Sequence, residues 1–153
     1  MSDQTNNPGF SADEERTLAA VLDEIIPPSD DGRFPGAGQI GVASYIDQAL
    51  QKTPELRSMI AQGLSDLDSL ARSRNAPSFA ALSQEDKLQL LNAQAFVLPL
   101  TFHAYVGYYQ HERVVEALGL EARPPHPKGY QMEPNDLTLL DAVRRRPKLY
   151  RQC

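Results

Sequence analysis

The side chains that could do chemistry in this chain are few, and their spacing works against most of the reactions they could serve. His103, His111 and His126 are the only histidines, separated by eight and then fifteen residues. A metal held on one helix face wants its ligands about three or four apart, so no such pair exists here. His103 sits in an apolar stretch and reads as a core or interface histidine bonded to backbone. No serine lies in a Gly-x-Ser-x-Gly turn, and Cys153, the single cysteine, is the last residue and has no activating neighbour. The paired carboxylates Asp13-Glu14-Glu15, Asp23-Glu24 and Asp30-Asp31 fall at a helix start, on a helix face and in a turn. Their ordinary work there is capping and solvation. Asp30 and Asp31 lack the alternating oxygen ligands of a calcium loop.

Gly36-Ala37-Gly38 is the one glycine-rich candidate for holding a phosphate. A dinucleotide cradle follows a strand and carries a third glycine, whereas this stretch follows a helix and lacks it. A close-packed connection between helices is the reading that remains. The tyrosines stand out in a chain that is only 7% aromatic and has no Trp: Tyr105, Tyr108 and Tyr109 at one helix end, then Tyr130 and Tyr150. They are either core residues or interface anchors, since tyrosine combines contact area with a polar tip. The stretch Gly107–Tyr130 therefore carries the functional argument. Pro124, Pro125 and Pro127 hold its second half extended, with His126 and Lys128 between them, suited to lying along another surface.

The totals set the frame for these residues. With 153 residues, 41% hydrophobic and 23% charged, the chain can form one domain burying roughly two-thirds of its unfolded surface. A net charge of -5 argues against nucleic acid, which needs a basic patch. The cluster Arg144-Arg145-Arg146 with Lys148 and Arg151 is short and reads as a solvated helix face or a partner for acidic neighbours. The longest apolar run, Ala95 to Val106, contains Pro99 and His103 and is shorter than the roughly 20 residues of a bilayer span, so no direct membrane insertion is expected. The opening MSDQTNNPGF shows neither an apolar run nor twin arginines, and the expectation is a cytoplasmic protein, or a periplasmic one if a signal was removed.

Helix signals then follow in order. Ser11 with Glu14 is a capping box, and Leu18, Val21, Leu22 and Ile25 recur at helical spacing up to Pro27-Pro28. Val42, Ile46, Ala49 and Leu50 mark a second helix. Thr53-Pro54 starts a third, with Leu56, Ile60, Leu64, Leu67 and Ala71 on one stripe. Ser83 caps a fourth, whose buried stripe is expected to be Leu88, Leu91, Ala95 and Leu98, with Pro99 kinking or dividing it near Val97. Val114, Val115 and Leu118 give a short helix closed by Gly119, and Asn135 or Asp136 caps a final turn with Leu137, Leu140 and Val143. The fold class is all-α: a single compact helical domain of five to six helices at residues 11–122. A disordered N-terminus at residues 1–10 precedes it, and an extended proline-containing arm with a short terminal helix, residues 123–153, follows.

The helix Leu18-Ala19-Ala20-Val21-Leu22-Asp23-Glu24-Ile25-Ile26-Pro27-Pro28 is followed by Pro35-Gly36-Ala37 and Val42-Ala43-Ser44-Tyr45-Ile46-Asp47. Later come Gly107-Tyr108-Tyr109 and Ala117-Leu118-Gly119. This pattern, over about residues 15 to 130, resembles the gluconate 2-dehydrogenase subunit 3 family, the small subunits of flavin dehydrogenases. The resemblance implies a chain with no catalytic, cofactor-binding or metal-binding residues of its own. Its partner would be a large oxidoreductase of the glucose-methanol-choline (GMC) type, which holds FAD and oxidises a sugar, polyol or other alcohol. The small subunit supports folding, maturation or stability of that partner and often supplies a twin-arginine signal, a feature this sequence lacks. The expected interface is Tyr108, Tyr109, His126, Lys128, Tyr130 and the terminal Lys148-Leu149-Tyr150-Arg151. The rival readings are an adaptor for an unrelated partner and a free-standing enzyme using the histidines or a metal.

Overall fold

In a computed structural model the chain is helical, with no strand among the described residues, which are 9–121 and 136–147. It divides between Ala122 and Arg123 into a helical unit and a second unit. The helical unit comprises α1 (Ala12–Ile25), a 3-10 turn (Ala37–Gln39), α2 (Val42–Leu50), α3 (Pro54–Ser73), a 3-10 turn (Phe79–Ala81), α4 (Gln84–Asn92), α5 (Val97–Tyr109) and α6 (Glu112–Ala117). In the second unit, the 3-10 turn Leu137–Leu140 runs into α7 (Asp141–Arg144). Asp136 caps that turn by accepting the Thr138 amide at 3.0 Å.

α1 is the element the unit is built on. Its first turn carries the capping box in full: the Glu14 amide donates to Ser11 Oγ at 3.3 Å, and the Ser11 amide donates to Glu14 Oε2 at 2.7 Å. Leu18, Val21 and Leu22 are fully buried, together with Ile46 and Leu50 of α2 and Ile60, Leu64 and Leu67 of α3. Phe10 joins this core, so the last residue of the segment expected to be disordered belongs to the helical unit, while residues 1–8 lie outside the described residues. α3 begins at Thr53-Pro54, but Thr53 caps it by position only. Its carbonyl accepts the Arg57 amide at 3.0 Å, and its side chain makes no capping bond.

Two polar side chains tie the helices together. Asp68 on α3 accepts the Thr17 hydroxyl of α1 at 2.8 Å and the Phe79 amide at 2.9 Å, satisfying a backbone donor next to a fully buried ring. Asp23 on α1 accepts the Gly38 amide at 2.8 Å and so draws the glycine-containing turn onto the helix. Burial raises the Asp23 carboxyl above its usual range, with the Gly38 amide working in the opposite direction. Ala37 also donates to the Ile26 carbonyl at 3.0 Å, so this turn packs on α1 through backbone as well.

The largest departure from the expected fold lies between Leu88 and Leu98. The expected division near Val97 is present, since α5 starts at Val97, but α4 has already ended at Asn92. The expected stripe Leu88, Leu91, Ala95, Leu98 therefore dissolves. Leu91 is buried, but Leu88, Ala95 and Leu98 face solvent, and Leu90 and Phe96 take the core positions instead. The Phe96 ring lies where a Cβ on Gly63 of α3 would be. Pro99 ends up as the third residue of α5, where its missing N–H has no intrahelical acceptor to lose.

Candidate docking face

α5 carries the features that set this unit apart. From Leu88 to His111 the sequence contains no Asp, Glu, Lys or Arg. A helix that is apolar all round belongs in an interior, since one face cannot be satisfied by its own domain and the other by water. The inner face of α5 is committed: Leu100, Ala104, Gly107 and Tyr108 are buried. Gly107 is the point of closest approach to α2, because a Cβ there would meet the Tyr45 ring at 2.6 Å and Val42 at 3.0 Å.

The outer face is apolar and open. Leu98 is 80% exposed, Phe102 66%, Tyr105 45% and Tyr109 53%, and Val106 is exposed beside them. These four principal residues are spaced by four, three and four, which keeps them on one stripe along the helix. The tyrosine rings of 105 and 109 stack with centroids 6.1 Å apart and planes 6° from parallel, and Phe102 meets the edge of the half-buried His103 at 5.6 Å. The stripe is thus partly preassembled before anything touches it.

The expected interface residues fall into three groups. Tyr109 is on the exposed stripe. Tyr108 is not available: it is 3% exposed, and its hydroxyl donates to the Pro35 carbonyl at 2.8 Å, which pins α5 to the loop after α1. Burial, and then the neighbouring Tyr109, push its hydroxyl pKa up. Adjacent residues on a helix point about 100° apart, and here Tyr108 turns inward while Tyr109 turns outward. His126, Lys128, Tyr130, Lys148, Leu149, Tyr150 and Arg151 lie outside the described residues. Leu98 and Phe102 were not among the expected interface residues. The signal that could have found them is the charge-free run from Leu88 to His111.

Other candidate chemistry is accounted for by local structure. His111 accepts the Arg113 amide at its Nδ1, 3.3 Å away, and so caps α6. Gly119 adopts φ +78° after α6, with Gly119 donating to Glu116 at 2.9 Å and Leu120 donating to Val115 at 3.1 Å. These two bonds complete a Schellman closure. Arg33 Nε donates to the Ala117 carbonyl at 2.9 Å and holds the last turn of α6 against the loop after α1. Among the described residues every buried side-chain nitrogen or oxygen has a hydrogen-bond partner, and no group of three or more His, Cys, Asp or Glu could hold a metal. No helix of the described residues is long and apolar enough to cross a membrane.

Residues 12–120 match the family model described as gluconate 2-dehydrogenase subunit 3. The chain belongs to that family. The matched range takes in α1 through α6, so the whole helical core of the unit, α5 included, is the family's domain. Neither a curated protein nor a solved structure matches the chain at a significant level. Gluconate 2-dehydrogenase subunit 3 is by description one component of a dehydrogenase made of several chains, and an unpartnered apolar helix face is what such a component would present.

The two adjacent tyrosines of this subunit 3 domain separate packing from surface roles. Tyr108→Phe is expected to lower stability by about 1–2 kcal/mol, because the Pro35 carbonyl loses its donor in a buried site. Tyr109→Phe is expected to leave stability unchanged. Urea unfolding of the two variants followed by circular dichroism checks both, and equal midpoints would remove Tyr108 from its structural role.

Proposed function

We propose that this chain is the non-catalytic small subunit of a heteromeric FAD-dependent dehydrogenase or oxidase of the GMC type, acting on a sugar or alcohol. Its work is to support the folding, stability or maturation of the large subunit, in which FAD is bound. The observation that carries this reading is the family match over residues 12–120, which spans every helix of the helical unit. The polar side chains of the unit supply a second line of support. Asp68, Asp23, Tyr108, Arg33 and His111 are all engaged in holding helices, turns and caps together.

The test is co-expression with a flavoprotein encoded beside it, with the tag on this chain. The expected result is a complex that carries flavin absorbance and oxidises an alcohol or sugar, with a large subunit that is less soluble or less flavin-loaded when expressed alone. Turnover of an alcohol by this chain alone would overturn the reading. So would large-subunit yield, flavin content and activity that are the same with and without it. Truncation after Glu121 in the same system tests the carboxyl-terminal residues His126, Lys128, Tyr130 and Lys148 to Arg151 as contacts, and undiminished co-purification would remove them.

A further inference from the structure

We infer that the outward stripe of α5, Leu98, Phe102, Tyr105 and Tyr109, is a docking helix that seats in an apolar groove on the flavin-bearing large subunit. This inference rests on the small-subunit reading and adds to it the place and mode of attachment. Anchors spaced four, three and four along one face are the pattern by which a helix lies in a groove. The stripe runs about 16 Å along the helix at ~1.5 Å per residue.

Area and charge decide between occupants. The exposed parts of these four side chains amount to roughly 500 Å², given that an aromatic side chain buries ~150–250 Å² in full. That is the size of the largest patch on a typical monomer, which is often functional, and it is short of the ~800 Å² per partner of a stable interface. A second copy laid antiparallel across the stripe would gain only this area on each side. It would also bring together two chains of net charge -5. A larger partner with a concave surface escapes both limits, because its groove walls add contact beside the stripe and it need not be acidic. The groove is therefore expected to have an uncharged floor under Leu98 and Phe102 and hydrogen-bonding groups at its rim for the hydroxyls of Tyr105 and Tyr109.

The test uses the full chain co-expressed with the large subunit. Leu98→Glu with Phe102→Glu is expected to lower recovered complex at least tenfold, while Leu88→Glu, an exposed leucine on α4, leaves recovery unchanged. Hydroxyl-radical footprinting of the wild-type proteins gives a readout free of folding effects: Phe102, Tyr105 and Tyr109 are expected to be reactive in the chain alone and protected in the complex. Wild-type recovery of the double variant, or unchanged reactivity in a complex that forms, would overturn the docking face and leave the small-subunit reading standing. Protection already complete in the chain alone would also overturn it, assigning the stripe to a second copy or to the chain's own carboxyl-terminal residues. Failure of the wild-type chain to bind the flavoprotein would sink both.

Discussion

Gly38→Ala is expected to cost about 2–3 kcal/mol of stability and to lower the thermal midpoint by about 10 °C. A Cβ at this position would run into the backbone of α1, against the carbonyl oxygen of Ala19, with its carbonyl carbon and the Asp23 carboxyl carbon each 2.9 Å away. The obstacle is the middle of a helix whose other face is fully buried, so it cannot retreat as a side chain could. The turn must lift instead, and the Gly38 amide then leaves Asp23, whose carboxylate is already disfavoured by burial. Gly41→Ala is the matched control. Gly41 has φ +75° and no atom within 4 Å of the added carbon, so that variant meets only the left-handed backbone cost of about 1–2 kcal/mol. Thermal melts by circular dichroism decide the matter. A Gly38→Ala midpoint at or above that of Gly41→Ala would mean that the turn is not clamped to α1.

Asp47→Ala is expected to be the more damaging half of an ion pair, at about 2–3 kcal/mol, with Arg57→Met costing about 1 kcal/mol or less. Arg57 of α3 reaches Asp47 of α2 through Nη2 at 3.0 Å and Nε at 3.3 Å, and its guanidinium lies 4.8 Å from the centre of the Phe10 ring. The partners differ in access to water: the Arg57 side chain is 10% exposed and that of Asp47 27%. Removing the acid strands a buried cation. Removing the base leaves a carboxylate that water can reach, and methionine keeps the packing of the arginine stem. The double variant Asp47→Ala/Arg57→Met should recover at least about 1 kcal/mol of what Asp47→Ala alone loses. Urea unfolding of the three variants measures this coupling, and strict additivity would show the pair to be energetically idle.

What could be read from the sequence was whatever depends on neighbours in the chain. The Ser11/Glu14 box, the proline start of α3 and the Gly119 closure are all set within a few residues, and the structure holds each of them. The long apolar period of α3 was legible for the same reason. The division near Val97 was legible from Pro99, and α5 does start there; the end of α4 at Asn92 was not, because Leu88, Leu91, Ala95 and Leu98 keep a helical period across it. Within the break Phe96 packs on Gly63, a contact across 33 positions that no local pattern encodes. The α5 stripe was hidden differently. Periodicity locates a buried face by contrast with a polar one, and a helix with no charged residue offers no contrast. Family membership was legible because its motifs are contiguous stretches of the chain, such as Leu18 to Pro28 and Gly107 to Tyr109, within the matched range.

The bonds from Tyr108 to Pro35 and from Arg33 to Ala117 join positions 73 and 84 residues apart. During synthesis the loop after α1 emerges early, and its two anchors are among the last residues of the helical unit to be made. A ribosome-bound chain halted before Ala117 therefore lacks the Arg33 latch on that loop. The second latch on that loop closes only when the end of the helical unit has been made.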